Sequence, residues 1–204
     1  MKSNFVINLK KFLLTNVIKY FRYVNWYETD QSVHKLNIKK IRKNNLKLLI
    51  FNSKKKVSKS SMEMHGYFKR YKEKLKRFNK KNYFLVLTNK SKKKAELLCC
   101  LWVNYHPKNK HYIQELDVYV NLKNQYLIYD GETPGHLRGN GYFTFLMQMA
   151  RYKFKNKKVI SYVLSTHPVA NEVNKKAGSR FVRKMYGYWN KNIFKIKCRV
   201  KRIL

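Results

Sequence analysis

Tyr129-Asp-Gly-Glu-Thr-Pro-Gly-His-Leu-Arg-Gly-Asn-Gly-Tyr-Phe143 is the stretch from which the fold is read. Glycine is scarce, seven in 204 residues, yet Gly131, Gly135, Gly139 and Gly141 all fall inside it. Before it, Tyr126–Glu132 is rich in aromatic and aliphatic residues and reads as a strand. After it, Phe143, Leu146, Met147, Ala150 and Phe154 recur at helical spacing, which predicts a helix over about 140–155 with one face in a core. The stretch is a glycine-rich junction between a strand and a helix N-terminus.

Such a junction has a physical use. Glycine lets the backbone come close to a ligand and adopt positive φ. The first N–H groups of a helix have no partner within it, and the helix dipole adds positive potential there. The result is an anion site suited to a diphosphate, with Arg138 available to add a side-chain charge. Two nucleotide motifs are excluded. No Gly-Lys-Ser/Thr ending of a P-loop is present, and G-x-G-x-x-G fails because Thr144 stands three residues after Gly141.

Outward from the junction, Tyr83–Leu87, Ala95–Tyr105 and Tyr112–Val120 are short runs rich in Tyr, Val, Leu and Ile, separated by Lys/Asn turns, as in neighbouring antiparallel strands. Downstream come a strand at Val159–Leu164, a helix at about 168–177, and closing strands near 180–189 and 192–202. The order predicts an α/β (α+β) fold: a mixed, mostly antiparallel central sheet flanked by helices. Upstream, residues 4–24 have helical periodicity with Lys11, Lys19 and Arg22 on one face, and Tyr23–Glu28 reads as a strand. That helix suits packing on the domain or lying at an anionic membrane surface. Residues 38–60 are Lys-rich around an apolar island at Leu46–Phe51, with Lys54–Lys56 read as exposed loop, and residues 61–79 form a second helical stretch with a basic face.

The charge is extreme: 47 Lys and Arg against 10 Asp and Glu, a net +37. It favours anionic partners such as nucleic acid or lipid headgroups. An AT-biased genome, which enriches Lys, Asn, Ile and Tyr, accounts for such an excess equally well. No nucleic-acid motif is recognisable. Cys99, Cys100 and Cys198 form neither a disulfide framework nor a zinc spacing, and Cys99-Cys100 reads as buried strand. A reducing, cytoplasmic setting is expected, with peripheral contact at the inner membrane face as an option. No signal peptide or membrane span is expected.

Arg138-Gly139-Asn140-Gly141 resembles the R/Q-x-x-G-x-G/A signature of the GNAT acyltransferases, which binds the pyrophosphate of coenzyme A. Phe143 stands at the usual third small residue. The approach, Tyr-Asp-x-x-Thr-Pro, is similar to a GNAT branch associated with cell-surface polysaccharide genes. His167-Pro168-Val169-Ala170 followed by Lys176-Ala177-Gly178 resembles the family's N-P-A-S…K-A-G-F stretch, with His167 in place of the Asn that contacts pantetheine and Ser179 in place of Phe. Asn174 stands where many relatives carry a thiolate-protonating Tyr. The resemblance implies a single domain over 1–204: a basic helix at 1–24, a variable acceptor-side region at 25–80, an acyl-CoA-binding core at 82–189 and a terminal strand at 190–204. It implies acetyl-CoA (acyl-CoA) as co-substrate, no metal, and transfer to a primary amine of a small molecule or amino sugar. Coenzyme contacts would come from Thr133, Arg138, Gly139, Asn140, Gly141, Tyr142, Phe143 and His167. The alternatives are a nucleic-acid- or ribosome-associated basic protein of the same fold, and a peripheral membrane enzyme acting on a lipid-linked substrate.

An attacking amine must lose a proton, so a base or water relay is required. Four of the ten acids, Glu115, Asp117, Asp130 and Glu132, lie within eighteen residues. Strand alternation sends Asp130 and Glu132 to one face, making them candidate catalytic groups, with His167 a third. Pairing with nearby lysines is the competing use of the same acids.

Overall fold

In the computed structural model of the chain, the described residues are 21–29, 46–58, 62–79, 81–89, 96–106, 110–113, 116 and 118–188. They form β1 (Phe21–Thr29), β2 (Leu46–Phe51), α1 (Lys54–Ser58), α2 (Met62–Arg70) and a 3-10 turn at Lys72–Arg77. β3 (Asn82–Asn89), β4 (Leu97–His106), β5 (Lys110–Ile113), β6 (Val118–Asn121) and β7 (Gln125–Glu132) follow. The chain then runs through α3 (Tyr142–Lys153), β8 (Val159–Leu164), α4 (Pro168–Lys176) and β9 (Ser179–Tyr188).

Seven strands make one sheet in the order β2-β3-β4-β7-β8-β1-β9, and β5-β6 form a separate ribbon. Every neighbouring pair is antiparallel except β7 and β8. A parallel pair needs a crossover, and α3 supplies it. The mixed, largely antiparallel sheet flanked by helices is the architecture expected from the order of elements. The N-terminal strand β1 lies between β8 and β9.

Both faces of the sheet are covered at β3 and β4, so these strands carry unbroken apolar runs, Tyr83–Leu87 and Leu97–Val103, rather than an alternation. On one face Leu85, Leu87, Cys99, Leu101 and Val103 meet Leu146, Met147, Ala150 and Phe154 of α3. On the other, Phe84, Val86, Cys100 and Trp102 meet Val57, Tyr67 and Phe68 from α1 and α2. Farther along that second face the β5-β6 ribbon lays Ile113, Val118 and Val120 over Val24, Trp26, Leu127 and Ile160. Cys99 and Cys100 are fully buried on opposite faces, as expected of buried strand.

Some boundaries differ from expectation. Tyr112–Val120 is not one strand: Ile113 pairs with Val118, so the chain doubles back into a two-stranded ribbon whose inner face reaches the core. Lys54–Lys56 begin a short helix rather than a loop, because Val57 is drawn into the core beneath them. The helical stretch at 61–79 divides into α2 and the 3-10 turn. Phe21–Val24, read as the end of the basic helix, belong to β1, where Val24 is fully buried in the sheet. The rest of that helix and the strand at 192–202 lie outside the described residues.

Candidate functional site

The site is built around a defect in β7. Opposite β4, Cys100 pairs with Glu132 but Trp102 pairs with Tyr129, so Asp130 and Gly131 together face Leu101. This is a β-bulge, and Asp130 carries it with φ of 47°. On its other side β7 pairs with β8 only at Tyr126↔Val159, Leu127↔Ile160 and Ile128↔Ser161. Beyond Ser161 the two parallel strands continue without pairing, leaving a fork whose vertex is Ile128 and Ser161.

The glycine-rich turn follows the fork directly. Gly139 (φ 84°) and Gly141 (φ 74°) are both left-handed, and Gly141 is the N-cap of α3. A Cβ built on either would meet nothing within 4 Å, so the conformation, not crowding inside the chain, requires glycine there. Arg138 and Asn140 are exposed. Arg138 Nε donates to the Thr133 carbonyl at 3.3 Å and Asn140 Nδ2 to the Leu137 carbonyl at 3.1 Å, which ties the turn to itself. Tyr142 and Phe143 open α3, and the Phe143 ring lies so close over Gly131 that a Cβ there would collide with it. His167 is exposed at the N-cap of α4, its backbone N–H bonded to the Leu164 carbonyl at 3.0 Å. The turn, the fork and His167 thus belong to adjoining ends of β7, β8, α3 and α4.

The two acids face α2 and the 3-10 turn together. Asp130 accepts from Lys74 Nζ at 3.0 Å and from Arg77. Glu132 meets Arg70 at 3.8 Å, with that Arg largely exposed. Lys74 is buried, hydrogen-bonded to the Tyr67 hydroxyl at 3.1 Å and lying 4.0 Å from the Tyr71 ring centre. Burial pushes the Cys100 thiol up to about 12 and the Tyr129 phenol up to about 12. Neither is a base or nucleophile at neutral pH.

On the opposite face, beneath the vertex, lies a polar chain of which sequence reasoning had singled out only Asn174. Arg151 Nη2 donates to Ser161 Oγ at 3.1 Å, Ser161 donates to Asn174 Oδ1 at 2.5 Å, and Asn174 Nδ2 donates to the Ala170 carbonyl at 2.9 Å. Arg151 was legible as a charge at i+4 from Met147 and i−3 from Phe154, beside the apolar stripe. Next to it, Tyr27 and Asn25 of β1 both donate to Asn171 Oδ1 at 2.8 Å. Lys74 and Arg77 gave no separable signal within a run of basic residues. Among the described residues no group of three or more His, Cys, Asp or Glu could hold a metal ion, and no helix is long and apolar enough to cross a membrane.

No protein-family model matches the sequence, and no curated protein does. Solved structures do match. A functionally unknown conserved protein from Staphylococcus epidermidis superposes with a TM-score of 0.52 at 11% identity, over 88% of this chain and 65% of that one. The GCN5-related glucosamine N-acetyltransferase region of a fungal multi-domain GH3 beta-N-acetylglucosaminidase gives 0.52 at 13% identity, over 86% of this chain and 22% of that one. A GNAT-family acetyltransferase from Colwellia psychrerythraea gives 0.46 at 11%, over 84% and 58%. The chain therefore spans under two thirds of each of these proteins. Taken with the bulged strand, the forked parallel pair and the glycine turn that caps α3, the likeness shows that this chain has the fold of the GNAT acyltransferases.

Proposed function

We propose that the protein is an acyl-CoA-dependent N-acyltransferase that moves an acetyl group from acetyl-CoA to a primary amine of a small molecule or amino sugar, by direct attack in a ternary complex. One observation carries the reading: β7 bulges and parts from its parallel neighbour immediately before a turn with two left-handed glycines at a helix N-terminus. That sequence of features provides, in order, a backbone donor turned off the ladder, a slot for an extended chain, and a diphosphate cradle.

In this reading the diphosphate is held by the N–H groups of the Gly139–Phe143 turn and by Arg138, with Thr133 and His167 at the edges of the cleft. The pantetheine arm runs into the fork. A bulge N–H donates to the thioester oxygen as negative charge develops on it. Asp130 is engaged by two cations and holds the 3-10 turn against the bulge. Glu132, with one long contact to an exposed Arg, is the carboxylate left to orient the amine and take its proton.

Calorimetry with acetyl-CoA tests the coenzyme half of the reading. Wild type should bind, and Gly141→Ala should lose at least tenfold in affinity because its Cβ enters the space the diphosphate needs. The substitution also carries about 1–2 kcal/mol of left-handed strain, so folding is checked by thermal denaturation. Absence of binding by folded wild type rejects the proposal.

A further inference from the structure

We propose that Arg151 is the counter-charge for the sulfur of coenzyme A, holding it as thiolate when the acyl group leaves. The inference rests on the acyltransferase reading above. Three observations on this chain carry it.

The guanidinium is buried, with only 4% of the residue's surface exposed, and its Nε and Nη1 have no hydrogen-bond partner among the described residues. Its one bond goes to a neutral hydroxyl, Ser161 Oγ. A buried cation with no carboxylate against it among the described residues is costly to the fold, since desolvation is not offset by an ion pair. Burial also draws its proton affinity down to about 10, showing how poorly the site solvates the charge.

The place of that charge is specific. Ser161 is the last residue of β8 paired with β7, so Arg151 stands at the vertex of the fork. α3 runs back from the glycine turn to this point. Nine residues separate Tyr142 from Arg151, about 13 Å along the axis, a distance that an extended phosphopantetheine arm covers. A chain anchored by its diphosphate at the start of α3 and lying in the fork therefore brings its far end, the sulfur, towards Arg151.

The third observation is what else stands there. Ser161 and Asn174, the neighbours of the guanidinium, are neutral at every working pH. Tyr27, the nearest phenol on β1, is bonded to Asn171 and made harder to ionise by burial. In the transfer step the amine nitrogen forms a bond to the thioester carbon, the C–S bond breaks, and its electron pair stays on sulfur. The amine proton goes to Glu132 or water. Among the described residues no acid on the guanidinium's side of the vertex is placed to protonate the sulfur, and on the other side burial pushes the Tyr129 phenol up to about 12; a fixed positive charge in a low-dielectric site stabilises the thiolate without an acid.

The test titrates the thiol of coenzyme A bound to the full-length protein, by the ultraviolet absorbance of the thiolate. Wild type should shift the titration at least one pH unit below that of the free coenzyme. Arg151→Lys should keep most of the shift and Arg151→Met should abolish it. Arg151→Met should also leave the urea midpoint of the free protein unchanged or raised, because an apolar isostere relieves the unpaired charge. Should Arg151→Met fail to fold, wild type alone decides: affinity for coenzyme A should rise with pH through the thiol titration, whereas affinity for desulfo-coenzyme A should not. A bound thiol that titrates as in solution overturns this proposal and leaves the acyltransferase reading standing. Failure of coenzyme A to bind overturns both.

Discussion

Phe143 shows how one side chain ties the glycine turn to the sheet. It opens α3, yet its ring lies against Gly131 in the bulge, so the glycine turn and the bulged strand are braced by a single contact. A larger residue than glycine at 131 must push the ring away. Gly131→Ala should destabilise the protein by about 1 kcal/mol or more, and in a Phe143→Ala background the same change should cost much less. The double-mutant cycle in urea checks this, with a coupling on the order of 1 kcal/mol expected for residues in direct contact. At the same scale, Glu132→Gln should leave acetyl-CoA affinity intact and lower turnover by about 10²–10⁴. Asp130→Asn should instead lower the urea midpoint, since it weakens the tie to Lys74 and Arg77. Steady-state kinetics beside denaturation curves separate the two carboxylates.

Among the elements, β4 and the β5-β6 ribbon bring together a pair of histidines whose placement makes stability depend on pH. His106 at the end of β4 and His111 on β5 have ring centres 5.1 Å apart, and both leave Nε2 buried without a hydrogen-bond partner. Burial, then the neighbouring ring, lowers His111 from 6.5 to about 4, and burial lowers His106 as well. The unfolded chain takes up these protons first as pH falls. Stability from the neutral rings is therefore complete above about 6.5 and is lost progressively down to about 4. Urea midpoints measured across that window should fall with acid, and His111→Phe should flatten the fall. Neither histidine stood out in the sequence, where each is one polar residue beside a Lys/Asn turn. By contrast β8, α3 and α4 were legible within a few residues, because period and glycine punctuation are local signals. The fork has no local signal of this kind: splaying follows from where pairing stops, which no single strand encodes. The insertion of β1 between β8 and β9 was not legible at all, since Tyr23–Glu28 marks a strand without marking its neighbours.

For the molecule as a whole the question is whether +37 acts through specific pairs or as a field. Among the described residues the acids in ion pairs with Lys or Arg are Glu28 with Lys158, Asp130 with Lys74 and Arg77, Glu132 with Arg70 and Glu172 with Lys175. Four of the ten acids are thus already paired within the described residues, and ten acids can at most pair with a minority of 47 basic residues. Exposed pairs contribute about 0–1 kcal/mol each, whereas repulsion summed over so many like charges works against the compact state. The two respond to salt in opposite directions. Screening at about 0.1 M reaches a Debye length of about 10 Å, shorter than most separations across the fold, so the repulsion should fade before the close pairs do. Raising NaCl from a few millimolar to that level should therefore raise the melting temperature. A fall on adding salt would mean that the ion pairs dominate and that the basic residues are better compensated than their number suggests. Scanning calorimetry over a salt series distinguishes the two outcomes, and repeating it with the coenzyme bound shows whether an anionic ligand relieves the same repulsion. If it does, the stabilisation by coenzyme should shrink as salt rises, because part of the ligand's effect is the negative charge it brings to a strongly positive molecule.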